Sequence, residues 1–166
     1  QKHDPFDLQC GYRYFTPWIA DGKRLAFFLG RDAKDGIFCR AADGAGQDEF
    51  LVNAPGLALF PASWSSNGKK MILLEWNPRS MSCDIGILSM EGDNKLEPPL
   101  KEKYHEAQPQ IPPDGKWMAY TSNESGQNQV YVRPFPAVEA GKSLISTNGG
   151  DSPLWSPHGG ELFYRN

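Results

Sequence analysis

The stretch of sequence that decides the fold reads Gln110-Ile111-Pro112-Pro113-Asp114-Gly115-Lys116-Trp117-Met118-Ala119-Tyr120. Its Pro-Asp-Gly centre is typical of a tight turn, because proline fixes φ, aspartate accepts hydrogen bonds from the following backbone and glycine tolerates positive φ. The apolar residues that follow are typical of a buried strand. The stretch therefore predicts a turn that joins two antiparallel strands.

Three other segments repeat this pattern. The residue before the turn glycine is Asp21, Asn67, Asp114 or His158, so the intervals are 46, 47 and 44 residues. Repeats of ~40–50 residues are typical of the blades of a β-propeller. The third, fourth and fifth residues after each glycine are apolar in all four segments. This pattern predicts a strand that is buried on both faces, as in a sheet packed between two neighbouring blades.

Further strands follow in each unit. A third strand is predicted at residues 37–40, 85–88 and 130–133, and a weaker fourth at 50–52, near Leu96 and at 144–146. Four strands per unit is the composition of a propeller blade. We therefore predict an all-β protein, a β-propeller of four-stranded antiparallel blades with about three full blades and a partial fourth.

The repeat also predicts how the chain is divided. We expect a single propeller domain over residues 1–166, with blades at approximately 14–55, 56–104, 105–148 and 149–166. The last unit is short, and we expect residues 1–13, or another copy of the chain, to complete it. An open array of blades would expose apolar faces. A homodimer that completes one propeller is therefore favoured over a single closed or truncated ring.

Composition narrows the function classes. The chain has 166 residues and a net charge of −3, which argues against a nucleic-acid partner. No apolar run approaches the ~18 residues of a membrane span. The given sequence starts Gln-Lys-His-Asp, from which we expect no intact signal peptide. Cys10, Cys39 and Cys83 are far apart and form no Cys-x-x-Cys pair, which argues against structural zinc and leaves one disulfide open.

Residues able to carry catalysis are few. There is no Gly-x-Ser-x-Gly motif, so the sequence offers no hydrolase nucleophile elbow. His158 shares its position with the turn aspartates and is interpreted as a turn residue. His105, beside Glu106, is interpreted as a solvated loop residue, because no second histidine is spaced to share a metal with it. We therefore predict no catalytic, metal-binding or cofactor-binding residue.

Aromatic residues are interpreted as core. Trp18, Trp64 and Trp155 occupy one repeat position, which favours packing over ligand binding. Both Trp64 and Trp155 are expected to be buried. Trp76 lies outside that register and is expected to be the exposed aromatic. Cys39 falls at an apolar position of the third strand, where a buried thiol is expected.

The repeat resembles that of the TolB C-terminal domain and its relatives, whose blades run approximately Trp-Ser-Pro-Asp-Gly-Lys. Trp155-Ser156-Pro157-His158-Gly159 and the stretch quoted first carry the resemblance best. Residues 108–165 are also similar to propellers attached to some bacterial Ser/Thr kinases. Ile19-Ala20 and Asn67 depart from the pattern, as does His158. The resemblance implies a propeller fold and a bacterial protein, periplasmic or extracytoplasmic, with a cytoplasmic location left open.

Two functions are compatible with this fold. The first is a non-enzymatic binding module that presents its funnel and loops to a protein or small ligand, with Arg13, Glu106 and Asp151 as the predicted funnel-mouth residues. The alternative is a propeller enzyme of the lactonase or lyase kind, with a metal in the central channel. Such a metal needs several converging carboxylate, Asn or His ligands. Because the sequence offers few acids leading into the innermost strands, the binding module is favoured.

Overall fold

The structure is a computed structural model and describes residues 18–19, 21–30, 35–100 and 102–166. Thirteen β-strands and one short 3₁₀ turn, Val138–Ala140, lie in this part of the chain, which contains no α-helix. The strands, in chain order, are β1 (Arg24–Leu29), β2 (Gly36–Ala41), β3 (Glu49–Val52), β4 (Ala58–Trp64), β5 (Lys70–Asn77), β6 (Ser82–Ser89), β7 (Leu96–Leu100), β8 (Glu106–Gln110), β9 (Trp117–Ser122), β10 (Gln129–Pro134), β11 (Ser143–Leu144), β12 (Asp151–Trp155) and β13 (Leu162–Arg165).

These strands form successive antiparallel sheets. The first sheet contains β1–β2–β3, the second β4–β5–β6–β7, the third β8–β9–β10–β11 and the fourth β12–β13. Strand order follows chain order throughout, so every connection within a sheet is a hairpin. The predicted all-β class is confirmed, and the second and third sheets are four-stranded and antiparallel as predicted. No helix in the described ranges is long and apolar enough to cross a membrane.

All four predicted turns are present. Gly22, Gly68, Gly115 and Gly159 have φ between 66° and 72°. At each turn the glycine N–H donates to the carbonyl three residues earlier, over 2.8–2.9 Å. In the first three turns the Asp or Asn side chain also accepts the N–H two residues later, at 2.8–3.0 Å. These contacts explain why Asp and Asn suit this position.

The core lies between the sheets. One cluster joins the first two sheets and includes Ala26, Cys39, Met71 and Leu88. A second cluster joins the second and third sheets. The prediction that the strand after each turn is buried on both faces is confirmed for β5 and β9. It is wrong for β13, where Phe163 is 57% exposed, because no described residue covers the outer face of the fourth sheet.

Tryptophan burial differs from the prediction. Trp76, expected to be exposed, is 3% exposed and packs with Leu74, Cys83 and Ala107. It lies on β5, in the interior of a four-stranded sheet, where Ala58 and Cys83 flank it. Trp64 and Trp155, expected to be buried, are half-buried at the ends of β4 and β12, and Trp18 is 57% exposed.

The cysteines differ in state. Cys39 is free and 1% exposed, which confirms the expected buried thiol. Burial raises its pKa to about 11, assisted by the nearby Glu49 carboxylate. Cys83 is disulfide-bonded, so the bridge that the sequence left open exists.

The division into one domain with the four blade boundaries given above stays a prediction. Completion of the last unit by residues 1–13, or by another copy, also stays a prediction, because residues 1–13 lie outside the described residues.

Candidate functional site

One end of the stacked sheets gathers the loops that enter the innermost strands. These loops comprise residues 53–57, 102–105 and 145–150, which precede β4, β8 and β12. Because adjacent strands are antiparallel, the hairpins at 78–81 and 123–128 lie at the same end. The glycine turns lie at the opposite end. We call the loop-bearing end the mouth face.

Glu106, one of the predicted funnel residues, is the first residue of β8 and is fully buried. The Ser122 hydroxyl donates to Glu106 Oε1 over 3.3 Å. Glu106 Oε2 has no hydrogen-bond partner in the described part of the chain. Burial raises the Glu106 pKa to about 8, and the negative charges of Asp84, Glu102 and Glu124 add to the shift. Glu106 is therefore a carboxyl group that stays largely protonated at neutral pH, beneath the mouth face.

Asp151 is the first residue of β12 and is half-buried. Its Oδ1 accepts hydrogen bonds from Arg165 Nε and Nη2 at 2.9 and 2.8 Å. Burial works against ionisation, but hydrogen bonds from Ser152 and Arg165 outweigh it and lower the Asp151 pKa. Asp151 is thus a paired carboxylate. Arg13, the third predicted funnel residue, lies outside the described residues, and ligand binding by all three stays a prediction.

The strands that carry Glu106 and Asp151 are joined by Gln108 and Ser152. Gln108 Oε1 accepts hydrogen bonds from Thr121 Oγ1 (2.9 Å) and from the Ser152 backbone N–H (2.8 Å). Gln108 Nε2 donates to Ser152 Oγ over 3.2 Å. Both Gln108 and Ser152 have φ of 55°, within irregular register positions of β8 and β12. These bulges fix the direction of the innermost strands below the mouth face.

Sequence reasoning missed this pair of residues. Gln108 and Ser152 each lie six residues before the turn residue of their unit, Asp114 or His158. Their equivalent in the second unit, Pro61, also lies at a register shift. The spacing of the repeat shows that Gln108 and Ser152 occupy equivalent positions. It does not show that the backbone is left-handed at these positions.

A cleft of about 640 Å³ opens on the mouth face between the first and second sheets. Loop 53–57 forms one wall, and Trp76 and Phe28 supply aromatic surface. Asn53 and the exposed Asp35 supply polar groups. This volume lies within the 300–1,000 Å³ that small-molecule sites occupy. The cleft is a concave surface of the mouth face, and its lining was not predicted.

Comparison with solved structures identifies the architecture. A protein described as TolB from Agrobacterium tumefaciens superposes with a TM-score of 0.71 at 21% identity, over 87% of this chain and 50% of that one. TolB from Acinetobacter baumannii gives 0.71 at 18% identity, over 89% of this chain and 36% of that one. The chain has the TolB-like β-propeller fold.

The TolB-like fold is shared with larger enzymes at lower similarity. The tricorn protease superposes with a TM-score of 0.61 at 17% identity, over 86% of this chain but 14% of the protease. No protein-family model matches the sequence, and no curated protein does. The chain spans about half the length of the Agrobacterium protein and about a third of the Acinetobacter one.

The potential metal ligands of this TolB-like chain are dispersed in its described part. Within residues 18–19, 21–30, 35–100 and 102–166, no three or more His, Cys, Asp or Glu side chains cluster closely enough to hold a metal ion. His105, interpreted from sequence as a solvated loop residue, is half-buried, and its Nδ1 accepts the Cys83 backbone N–H at 3.2 Å. His158 is exposed at its turn, as its repeat position predicted.

Proposed function

We propose that this chain is a non-enzymatic binding module whose mouth face receives a protein segment or a small ligand. The observation that carries this proposal is the 640 Å³ cleft, which combines apolar walls from Phe28, Leu57 and Trp76 with polar groups at its rim. Such a combination is typical of recognition sites, in which apolar surface supplies affinity and a few polar groups supply orientation. Loops held on a rigid sheet scaffold are also where binding residues concentrate.

The predicted funnel residues enter this proposal in different ways. Asp151 is half-buried and paired with Arg165, so a ligand cation would compete with that guanidinium. Glu106 is fully buried and would act through the position of β8. Arg13 is proposed as a funnel residue on the sequence argument alone.

The alternative enzyme function has less support. A lactonase or lyase of the propeller kind needs a metal held by converging donors. The described donor groups do not cluster in that way. Metal analysis of the purified protein discriminates between the two functions, because a stoichiometric divalent ion would favour the enzyme.

We also propose that two copies complete one propeller. The outer face of the first sheet carries a row of contacting rings, Phe27, Phe38 and Phe50, with centroid distances of 6.5 and 5.4 Å. The outer face of the fourth sheet carries Leu154 and Phe163, 60% and 57% exposed. Packing one face on the other, head to tail between two copies, removes both apolar surfaces from water. One chain covers 50% of the Agrobacterium protein, so two copies supply material of comparable length.

The binding proposal is tested by selecting peptides from a random phage-displayed library and measuring their affinity for two variants. Asp35→Lys changes the charge at the cleft, whereas Asp93→Lys makes the same change on the exposed β6–β7 turn at the opposite end. We expect Asp35→Lys to change affinity about tenfold, equivalent to about 1.4 kcal/mol, and Asp93→Lys to leave it unchanged. Equal effects of the two variants, or failure to select any peptide, would contradict a mouth-face site.

A further inference from the structure

The mouth-face cleft between the first and second sheets has a distinct charge. Asp35 is the only charged side chain among the described residues that line the cleft, and Asn53 supplies the only side-chain amide. The remaining described lining residues are apolar, aromatic or glycine, and none of them is Lys, Arg or His. Charge complementarity therefore favours a cation in this cleft over an anion.

The Asp35 carboxylate is available to a ligand. It is exposed to solvent, and within the described ranges no basic side chain forms an ion pair with it. By contrast, Asp21, Asp48 and Asp151 are each paired with an arginine. A cationic ligand would therefore pair with Asp35 without first displacing a described protein cation.

Gly30, at the end of β1, leaves a space beside this carboxylate. Its φ is not positive, so the backbone conformation does not require glycine here. A Cβ at this position would lie 3.3 Å from Asp35 Oδ1 and 3.4 and 3.5 Å from Phe28 Cε1 and Cζ. The Phe28 ring contacts the ring of Phe60, with their centroids 5.2 Å apart. The space is thus bounded by a carboxylate oxygen and an aromatic ring, and both groups attract an ammonium ion.

We propose that the mouth-face cleft binds a small organic cation, a primary ammonium group carried on an apolar body. The ammonium group lies over Gly30, between Asp35 and Phe28, and the apolar body lies against Leu57 and Trp76. The cleft volume of about 640 Å³ is that of a small-molecule site. This inference rests on the binding function proposed above and adds to it the chemical class of the ligand.

Three probes of similar shape and different charge test the proposal. They are phenethylamine, which is cationic at neutral pH, phenethyl alcohol, which is neutral, and hydrocinnamate, which is anionic. In NMR chemical-shift titrations we expect saturable binding of phenethylamine, binding about tenfold weaker for the alcohol and weaker still for hydrocinnamate. Equal binding of the three probes, or a preference for hydrocinnamate, would overturn the cation assignment and still support a binding cleft. The absence of saturable phenethylamine binding would overturn it too, whereas the peptide selection tests the mouth face independently.

Matched variants test the placement of the ammonium group. Asp35→Asn removes the charge and keeps the shape, and Asp93→Asn makes the same change on the exposed β6–β7 turn at the opposite end. We expect Asp35→Asn to weaken phenethylamine binding about tenfold and phenethyl alcohol binding by no more than about twofold, and Asp93→Asn to change neither. Equal losses of both probes in Asp35→Asn would overturn the ion pair. Gly30→Ala fills the space between the carboxylate and the ring, so unchanged phenethylamine binding in this variant would overturn the placement.

Discussion

At the scale of single residues, Glu106 couples stability to pH. Its carboxyl group is fully buried with one hydrogen bond from Ser122, and its pKa is raised from 4.5 to about 8. Between these two values the unfolded chain releases the proton that the folded chain retains. The contribution of Glu106 to stability is therefore complete below pH 4.5 and is lost as the pH rises towards 8.

Glu106→Gln is expected to be more stable than the wild type at pH 8, because the neutral amide keeps an acceptor for Ser122 without a buried charge. The gain should shrink as the pH falls towards 4.5. Urea denaturation at pH 5 and pH 8 measures both effects. Glu161→Gln, at an exposed carboxylate, is the control and should change stability by less than about 0.5 kcal/mol at either pH. A gain for Glu106→Gln that is equal at both pH values would contradict the assignment.

Gly115 is a second residue at which a substitution is expected to destabilise the fold. Its φ is 68°, and a Cβ at this position would lie 2.5 Å from Ser66 Oγ. Gly115→Val is therefore expected to destabilise the fold by about 1–3 kcal/mol from backbone strain, plus the cost of displacing Ser66. Gly159→Val is the matched control, since φ is 72° and the Cβ would meet no atom within 4 Å. Chemical denaturation should give Gly115→Val a lower free energy of unfolding than Gly159→Val. The reverse order would contradict the additional cost assigned to the Ser66 contact.

At the scale of elements, a polar network joins the second and third sheets. Arg133 of β10 is 5% exposed, and its Nε donates to the Tyr120 hydroxyl at 2.8 Å. Its Nη1 donates to the Val138 carbonyl at 3.0 Å, and its Nη2 forms an ion pair with Glu102, which follows β7. Lys142 also pairs with Glu102, at 3.2 Å. The guanidinium therefore ties the third sheet to the segment that leaves the second.

Arg133→Met is expected to destabilise the protein by about 1–3 kcal/mol, because it removes the hydrogen bonds that the buried guanidinium donates to Tyr120 and Val138. Glu102 keeps its ion pair with Lys142. Arg40→Met is the control, since Arg40 pairs with Asp48 on the surface at 2.6 Å and such pairs contribute at most about 1 kcal/mol. Denaturation midpoints of the two variants test the difference. A loss below about 1 kcal/mol for Arg133→Met would mean that the network adds little to the junction.

The turns and strands also show which parts of the fold can be predicted from the sequence and which cannot. A turn such as Asp114-Gly115 depends on a few adjacent residues, so it can be predicted from the local sequence. Its position then predicts the strands on either side. The bulges at Gln108 and Ser152 depend on contacts between two units, and no local pattern shows them. Trp76 was misassigned for a similar reason: its repeat position differs from that of the other tryptophans, but its burial follows from the strands on either side of it.

At the scale of the whole molecule, the apolar outer faces of the first and fourth sheets, on which no described strand packs, predict association. We expect light scattering at micromolar concentration to give the mass of two chains. Phe163→Glu should shift this mass to one chain by placing a charge in the proposed contact, whereas Leu144→Glu, outside it, should not. A wild type that is a monodisperse monomer would contradict the homodimer. Deletion of residues 1–9 should weaken dimer and fold together if they complete the last unit.

The hydrogen bonds of the glycine turns, described above, have an evolutionary consequence. Each turn is closed by atoms within a few residues of one another, and all four lie at the end of the sheets away from the mouth face. The residues that form each hairpin and the proposed binding surface therefore lie in different segments of the same repeat. Mutations can therefore accumulate in residues 53–57 or 145–150 without erasing the signal that starts each hairpin. A lineage of such chains would diversify its specificity faster than its architecture.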